Sequence, residues 1–332
     1  MKLAQLVWTF ALLSLSVPAT LAQDSKLLVA VKGDQRLAVY DPSTSILLGS
    51  IPIGGNTGHE VTASPDGRMA FVPVYGDSGV GKPGSDGSNM AVIDLAALKV
   101  TGNLDFGHGV RPHLPVFGPK DGLLYVTTEL DQSVTVVDPK TLKVVGSIPT
   151  GQAESHMLAI SHDGRRGYTA NVGPGTVSVL DMEARKTLKV IPVAAKTQRI
   201  SISMDDRWVF TSDQTKPQLA VIDTSTDLVK RWIPLDGLGY GSAPTPDGRW
   251  LLVAIPAKNV VAVVDLKSMK VVRSVEVASD PQEVVASPDG KTAWVSCQSA
   301  GQVIEIDLTA WKLAGAIEAG TQPDGLAWAQ AH

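Results

Sequence analysis

Residues 282–320 read as four short runs rich in Val, Ile, Ala and Trp: QEVVASPDG, KTAWVSCQ, QVIEIDL and KLAGAIEAG. Turn residues break each run from the next. Ser287-Pro288-Asp289-Gly290 makes a tight turn, in which Pro fixes φ and Gly takes a conformation that other residues avoid. Ser299-Ala300-Gly301 makes the second break and Asp307-Leu308-Thr309 the third. Four strands at hairpin spacing predict one antiparallel sheet. Such a sheet has two apolar faces and needs neighbours of its own kind to bury them.

The neighbours recur along the chain. The Asp that closes the third strand returns at Asp41, Asp94, Asp138, Asp181, Asp223, Asp265 and Asp307, in the tripeptides VYD, VID, VVD, VLD, VID, VVD and EID. The intervals are 53, 44, 43, 42, 42 and 42 residues. A period in this range with four strands per repeat selects a β-propeller, and seven repeats predict seven blades. The first repeat, 27–51, lacks its first strand. Adding one period to 284–287 reaches 326–329 (LAWA), so the C-terminal strand is expected to complete the N-terminal blade and close the ring, leaving no free sheet edge. The expected fold is all-β, one seven-bladed domain over 23–332.

Residues 1–22 stand outside the repeat. Lys2, an uncharged apolar run over 6–17 and the small-residue end Thr20-Leu21-Ala22 read as a secretory signal peptide cut after Ala22, and hence as a periplasmic or secreted protein. The chain has 29 Lys plus Arg against 33 Asp plus Glu, net −4. This weak acidity gives no reason to expect nucleic acid or an anionic membrane as partner. The single cysteine, Cys297, excludes an internal disulfide and reads as a packed thiol rather than a nucleophile. No CxxCH occurs, so the chain carries no covalent c-type haem of its own.

One irregularity interrupts the repeat, the loop 76–88 (GDSGVGKPGSDGS), which accounts for the 53-residue interval. Gly76-x4-Gly81-Lys82 has P-loop spacing, but Pro83 stands where a magnesium-binding Ser or Thr is needed and no helix follows. The loop reads as a mobile flap over one face of the ring, dispensable for folding.

The second strands end in variants of one tetrapeptide: Tyr125-Val126-Thr127-Thr128, Tyr168-Thr169-Ala170-Asn171 and Phe210-Thr211-Ser212-Asp213. In these segments the chain resembles the YVTN-type β-propeller repeat family, which includes YncE-like bacterial periplasmic proteins. The resemblance covers 26–329; it implies the propeller fold and leaves the function open.

Propeller ligands bind at the mouth of the central channel, so the residues there are the candidates. Aligned by repeat, the first strands begin with His59, His113, His156, Gln198, Tyr240, Gln282 and Asp324, followed by Glu60, Leu114, Met157, Arg199, Gly241, Glu283 and Gly325. The second strands end in Lys32, Val74, Thr128, Asn171, Asp213, Ile255 and Cys297. Packing alone would fill these positions with small or aliphatic residues. Two chemistries follow: His59, His113 and His156 have the donor type for copper or zinc, and Arg199 could receive an organic anion. Around them Glu60, Asn171, Gln198, Asp213, Tyr240, Gln282 and Asp324 would line a site for a small polar ligand.

Two further readings stay open. Lactonase- and muconate-cycloisomerase-type propellers look similar and place His, Arg and Glu at this mouth. That resemblance implies His113, His156, Arg199 and Glu283 as a set that polarises a carbonyl and moves a proton. A protein-interaction scaffold of a periplasmic redox system is the other.

Overall fold

A computed structural model describes residues 25–55, 58–77 and 79–330. The signal-peptide reading of 1–22 therefore lies outside the described residues. Seven four-stranded antiparallel sheets follow one another in chain order, and the one helical element among the described residues is a single 3-10 turn, Pro256–Lys258. The fold is the expected seven-bladed β-propeller. Ring closure also follows the expectation: Pro323–Ala329 pairs antiparallel with Lys26–Val31, matching Leu27 to Trp328 and Val29 to Leu326. The closing strand starts three residues before the position read from the repeat. Pro323-Asp324-Gly325 forms the irregular first part of the strand.

The periodic Asp has a physical role in every blade. After the third strand its carboxylate caps the turn by accepting backbone N–H groups, as Asp94 does from Ala96 and Ala97 (2.9 and 2.8 Å) and Asp307 from Thr309 and Ala310 (2.7 and 2.9 Å). Asp41, Asp138, Asp181, Asp223 and Asp265 accept in the same way. Four residues beyond each of the seven, the chain is left-handed, at Ser45, Leu98, Leu142, Arg185, Asp227, Met269 and Trp311. The side chain thus supplies an acceptor that a two-strand connection cannot find in its own backbone.

Burial grades outward through each blade. Second and third strands are almost wholly buried, whereas fourth strands such as Lys143–Pro149 are mostly exposed. The apolar clusters lie between blades rather than within them. Leu28, Leu37 and Val39 of the first blade pack on Val61, Val72 and Ile93 of the second, while Trp294 and Val303 of the last pack on Leu27, Val29 and Leu326. Cys297 is buried in the cluster between the sixth and seventh blades, and burial pushes its thiol up to about 12. It is a packing residue.

Because Leu326 and Ala329 are buried in two different inter-blade clusters, truncation after Gly320 removes core from both sides of the first blade. Burial of a large apolar side chain contributes about 1.5–3 kcal/mol. The truncated chain is expected to lose its cooperative melting transition in differential scanning calorimetry; an unchanged transition would contradict the closure.

Candidate functional site at the channel mouth

Irregular pairing in the first strands aims the site. Against its second strand, the register of the first shifts between Pro112 and Pro115, Ser155 and Met157, Gln198 and Ile200, and Pro281 and Val284; in the closing strand it shifts between Pro323 and Leu326. The residues inside these shifts include His113, His156, Arg199, Gln282, Glu283 and Asp324. A bulge leaves its extra residue out of the ladder and re-aims the side chain. Arg199 is itself left-handed, with φ of 60°, a conformation that costs a non-glycine residue about 1–3 kcal/mol. In the second and sixth blades the first strands, Thr62–Ala63 and Ser242–Pro244, are short. His59, Glu60 and Tyr240 therefore approach the centre as irregular chain.

These elements bring a charged cluster onto the ring axis. Arg199 of the fifth blade is 3% exposed. It donates through Nη1 to Glu60 of the second blade and Glu283 of the seventh (2.7 Å), and its Nη2 lies 3.5 Å from Asp324 Oδ1 of the first. The guanidinium sits 4.6 Å from the centroid of the Tyr240 ring, whose hydroxyl accepts from Gln198 Nε2 at 2.9 Å. Asp324 also meets Lys32 Nζ (3.2 Å) and His59 Nδ1 (3.3 Å). Beside it the His113 and His156 rings stack, with centroids 3.6 Å apart. His59 lies 5.4 Å from His113, and Tyr75 stands edge-on to all three imidazoles.

Burial sets the protonation of the cluster. Desolvation, reinforced by the neighbouring Glu283 and Asp324 and opposed by Arg199, pushes the Glu60 carboxyl up to about 8. Glu283 is raised for the same reasons. Burial works on Asp324 too, but the hydrogen bond with His59 and the Lys32 and Arg199 charges win, and it is held well below the usual carboxylate range. Burial lowers His113, helped by His156 and His59. It also lowers His156, against the pull of Glu129. Both imidazoles are neutral at pH 7.

The structure parts with the sequence reading at several residues. Asn171 bonds within its own blade, to Ser155, Thr169, Thr176 and Ser178. Asp213 caps the turn at Thr215 and Lys216 and accepts from Gln218. Gln282 turns to Asp280 (2.7 Å). None of the three joins the cluster: Asn171 and Asp213 end second strands that keep the regular pleat, and Gln282, although inside a register shift, is held by Asp280. The imidazoles of His59, His113 and His156 meet, but no group of three His, Cys, Asp or Glu side chains among the described residues could hold a metal ion. Arg199 does not stand ready for an anion, since carboxylates already occupy both of its η nitrogens.

Alignment also left out residues that belong here. Lys32, at the end of a second strand, reaches the cluster through Asp324. Tyr75, Arg111 and Glu129 fall just outside the aligned columns, so no column drew attention to them. Tyr75 donates to Glu129 Oε2 (2.5 Å), which lies 3.4 Å from His156 Nδ1. Arg111 Nη1 lies 3.6 Å from the other oxygen of Glu129. A buried charged residue one or two positions from a strand end was the available signal.

Arg111 also pins the loop 76–88. It donates to Asp86 Oδ1 (2.6 Å), to the Lys82 carbonyl (2.8 Å) and to that of Gly79 (3.5 Å), while Gly81 N–H donates to Glu129 Oε1 (3.4 Å). The loop is a hairpin extension, Gly76 pairing with Asp86. The Gly81 N–H meets a protein carboxylate in the place where a P-loop would offer it to phosphate. The flap is thus docked structure rather than the mobile loop expected.

Comparison with known proteins agrees with the architecture. The family described as "Cytochrome D1 heme domain" matches residues 117–246, less than half of the chain. No curated protein matches. Among solved structures, a Kuenenia stuttgartiensis hydrazine synthase chain superposes with a TM-score of 0.74 at 17% identity, covering 89% of this chain and 99% of that one. Dihydro-heme d1 dehydrogenase NirN in complex with DHE gives 0.66 at 14%, covering 91% and 74%. A functionally unknown protein from Desulfotomaculum acetoxidans DSM 771 gives 0.78 at 13%, covering 92% and 99%. At these identities the likeness is one of fold. The chain is a seven-bladed β-propeller whose axis is plugged by a buried ionic cluster. No helix among the described residues is long and apolar enough to cross a membrane.

The pKa directions fix the sign of a pH effect. Glu60 holds its proton more tightly folded than unfolded, so its contribution is full below about 4.5 and is lost as pH rises through about 8. Depressed His113 and His156 contribute in the other direction, losing stability as pH falls below 6.5. The melting temperature is expected to fall between pH 6.5 and about 8.5, and Glu60→Gln to flatten most of that limb. An equally steep limb in the variant would show that Glu60 does not titrate there.

Replacing 77–85 by a short turn removes the loop partners of Arg111 and Glu129. Hydrogen bonds to charged groups contribute about 1.5–3 kcal/mol, and a loss in that range is expected by urea denaturation. Unchanged stability would restore the dispensable flap.

Proposed function

We propose that this propeller is a ligand-binding protein of the YVTN-repeat type that holds a small polar molecule at the mouth of its channel. One observation carries the reading. His113 Nδ1 and Arg199 Nε are buried without a hydrogen-bond partner, and both belong to the axial cluster, where His156 Nδ1 has only Glu129 Oε2, at 3.4 Å. An unsatisfied buried polar group costs about 1–3 kcal/mol, so two in one cluster form a site that a polar guest completes. The leader-like residues 1–22 support an exported protein as part of the same reading.

The match to a cytochrome d1 heme domain favours a second reading, a haem-type ligand. The residues present do not fit a macrocycle in this arrangement. His113 and His156 are 2% and 3% exposed and stack on each other. A cleft of about 850 Å³, lined by residues such as Asp41, Glu305 and Trp328, lies away from these imidazoles, and so does a pocket of about 210 Å³ at the base of the flap.

Native mass spectrometry and visible absorption on protein purified from its own compartment separate the two. A bound small molecule that is lost from a His113→Ala/His156→Ala variant of unchanged melting temperature is the expected outcome. A Soret band retained through purification would replace it with the haem-type reading. A guest held equally by the double variant would place the site elsewhere.

A further inference from the structure

The charges on the axis do not balance. Three carboxylates, Glu60, Glu283 and Asp324, face two fixed cations, Arg199 and Lys32. The other groups against them are the His59 imidazole on Asp324, the neutral His113 and His156 rings, the Tyr240 ring on Arg199 and the Gln198 amide on Tyr240. The rings of His113, His156 and Tyr240 and the Gln198 amide add no positive charge, and His59 adds one only when it is protonated. Glu60 and Glu283 share one guanidinium nitrogen, Nη1, so the deficit lies between these two. Glu283 is the more accessible, its side chain 15% exposed against 4% for Glu60. In a desolvated site two like charges so placed must take up a proton or a cation.

A second observation points to a guest rather than to a proton alone. Arg199 Nε–H lacks an acceptor, and His113 Nδ1 lacks a partner. A proton on Glu60 satisfies neither. A hydroxyl can do both, because it accepts from N–H and donates to a neutral imidazole nitrogen.

We propose that the ligand is a small organic monocation, a primary amine that also carries a hydroxyl. Its ammonium supplies the missing positive charge between Glu60 and Glu283, and its hydroxyl meets the unpartnered nitrogens of Arg199 and His113. The inference rests on the channel-mouth reading above and narrows it. It reverses the expectation of an anion at Arg199, whose charge is already taken by carboxylates. Binding would exchange the cation for the proton held by the Glu60–Glu283 pair, and so release a proton to solvent.

The test is isothermal titration calorimetry of the full chain with ethanolamine, glycolate and ethane-1,2-diol, between pH 6 and 9, in buffers of different ionisation enthalpy. Ethanolamine alone is expected to bind tightly. Below pH 8 its affinity should rise about tenfold per pH unit, with release of up to one proton. Glu283→Gln should weaken it at least tenfold and remove the proton release; Glu60→Gln is the companion variant should that one fail to fold. Ethanolamine failing to bind, binding without proton release, or binding unaffected in both variants overturns the proposal. Glycolate binding that is lost in the His113→Ala/His156→Ala variant overturns it while leaving the channel-mouth reading intact. If the purified protein carries no guest and none of the three probes binds, both fall.

Discussion

A guanidinium held out of water at the centre of the ring governs the rest of the arrangement. Removing Arg199 from solvent is costly, and only close carboxylates offset it. Glu60, Glu283 and Asp324 come from three other blades, so the ion cluster fixes the relative positions of four blades at the axis. Replacing such a cluster by apolar residues is often neutral for stability, whereas breaking it from one side costs about 3–5 kcal/mol. Its contribution is therefore one of position and charge more than of net stability. It also explains why two buried glutamates are raised while the neighbouring aspartate is lowered: Asp324 has Lys32 and His59 in addition to Arg199, and the glutamates have to share.

Around that cluster the ring is built for regularity. Capped Asp turns, left-handed residues four positions later and apolar clusters between blades recur with little variation. Chemistry appears where the repeat is broken. The bulges of the first strands are local departures from ladder geometry, and each places outside the ladder a residue that the pleat would direct otherwise. The strained backbone at Arg199 belongs to this pattern, since the surrounding strands and carboxylates over-determine a conformation that a lone residue would leave.

The inserted hairpin of the second blade is the other break. Arg111 uses its whole guanidinium to tie two loop carbonyls and Asp86 to Glu129, and Glu129 in turn holds Tyr75 against the histidine stack. Loop, stack and axial cluster are thus joined through side chains.

The fold was legible in the chain because its determinants are local. An Asp that caps a turn, a Ser-Pro-Asp-Gly break and alternating apolar runs act within a few residues of themselves, so their period reports the blades directly. Closure by 326–329 followed from the same arithmetic. Most of the axial cluster was legible for a related reason: His59, Glu60, His113, His156, Arg199, Tyr240, Glu283 and Asp324 stood out as polar residues in columns where packing prefers aliphatics. The sequence could not tell which of them meet. Asn171 and Asp213 occupied equivalent columns and turned to their own blades, while Arg111, Glu129 and Tyr75 lay beside the columns and turned inward. Side-chain direction depends on bulges, and a bulge is decided by how a strand seats against its neighbours, which no single repeat encodes. The ionic cluster was hidden for the same reason, since Glu60, Glu283 and Asp324 lie 139, 84 and 125 residues from Arg199 along the chain, and only the closed ring brings them within a hydrogen bond.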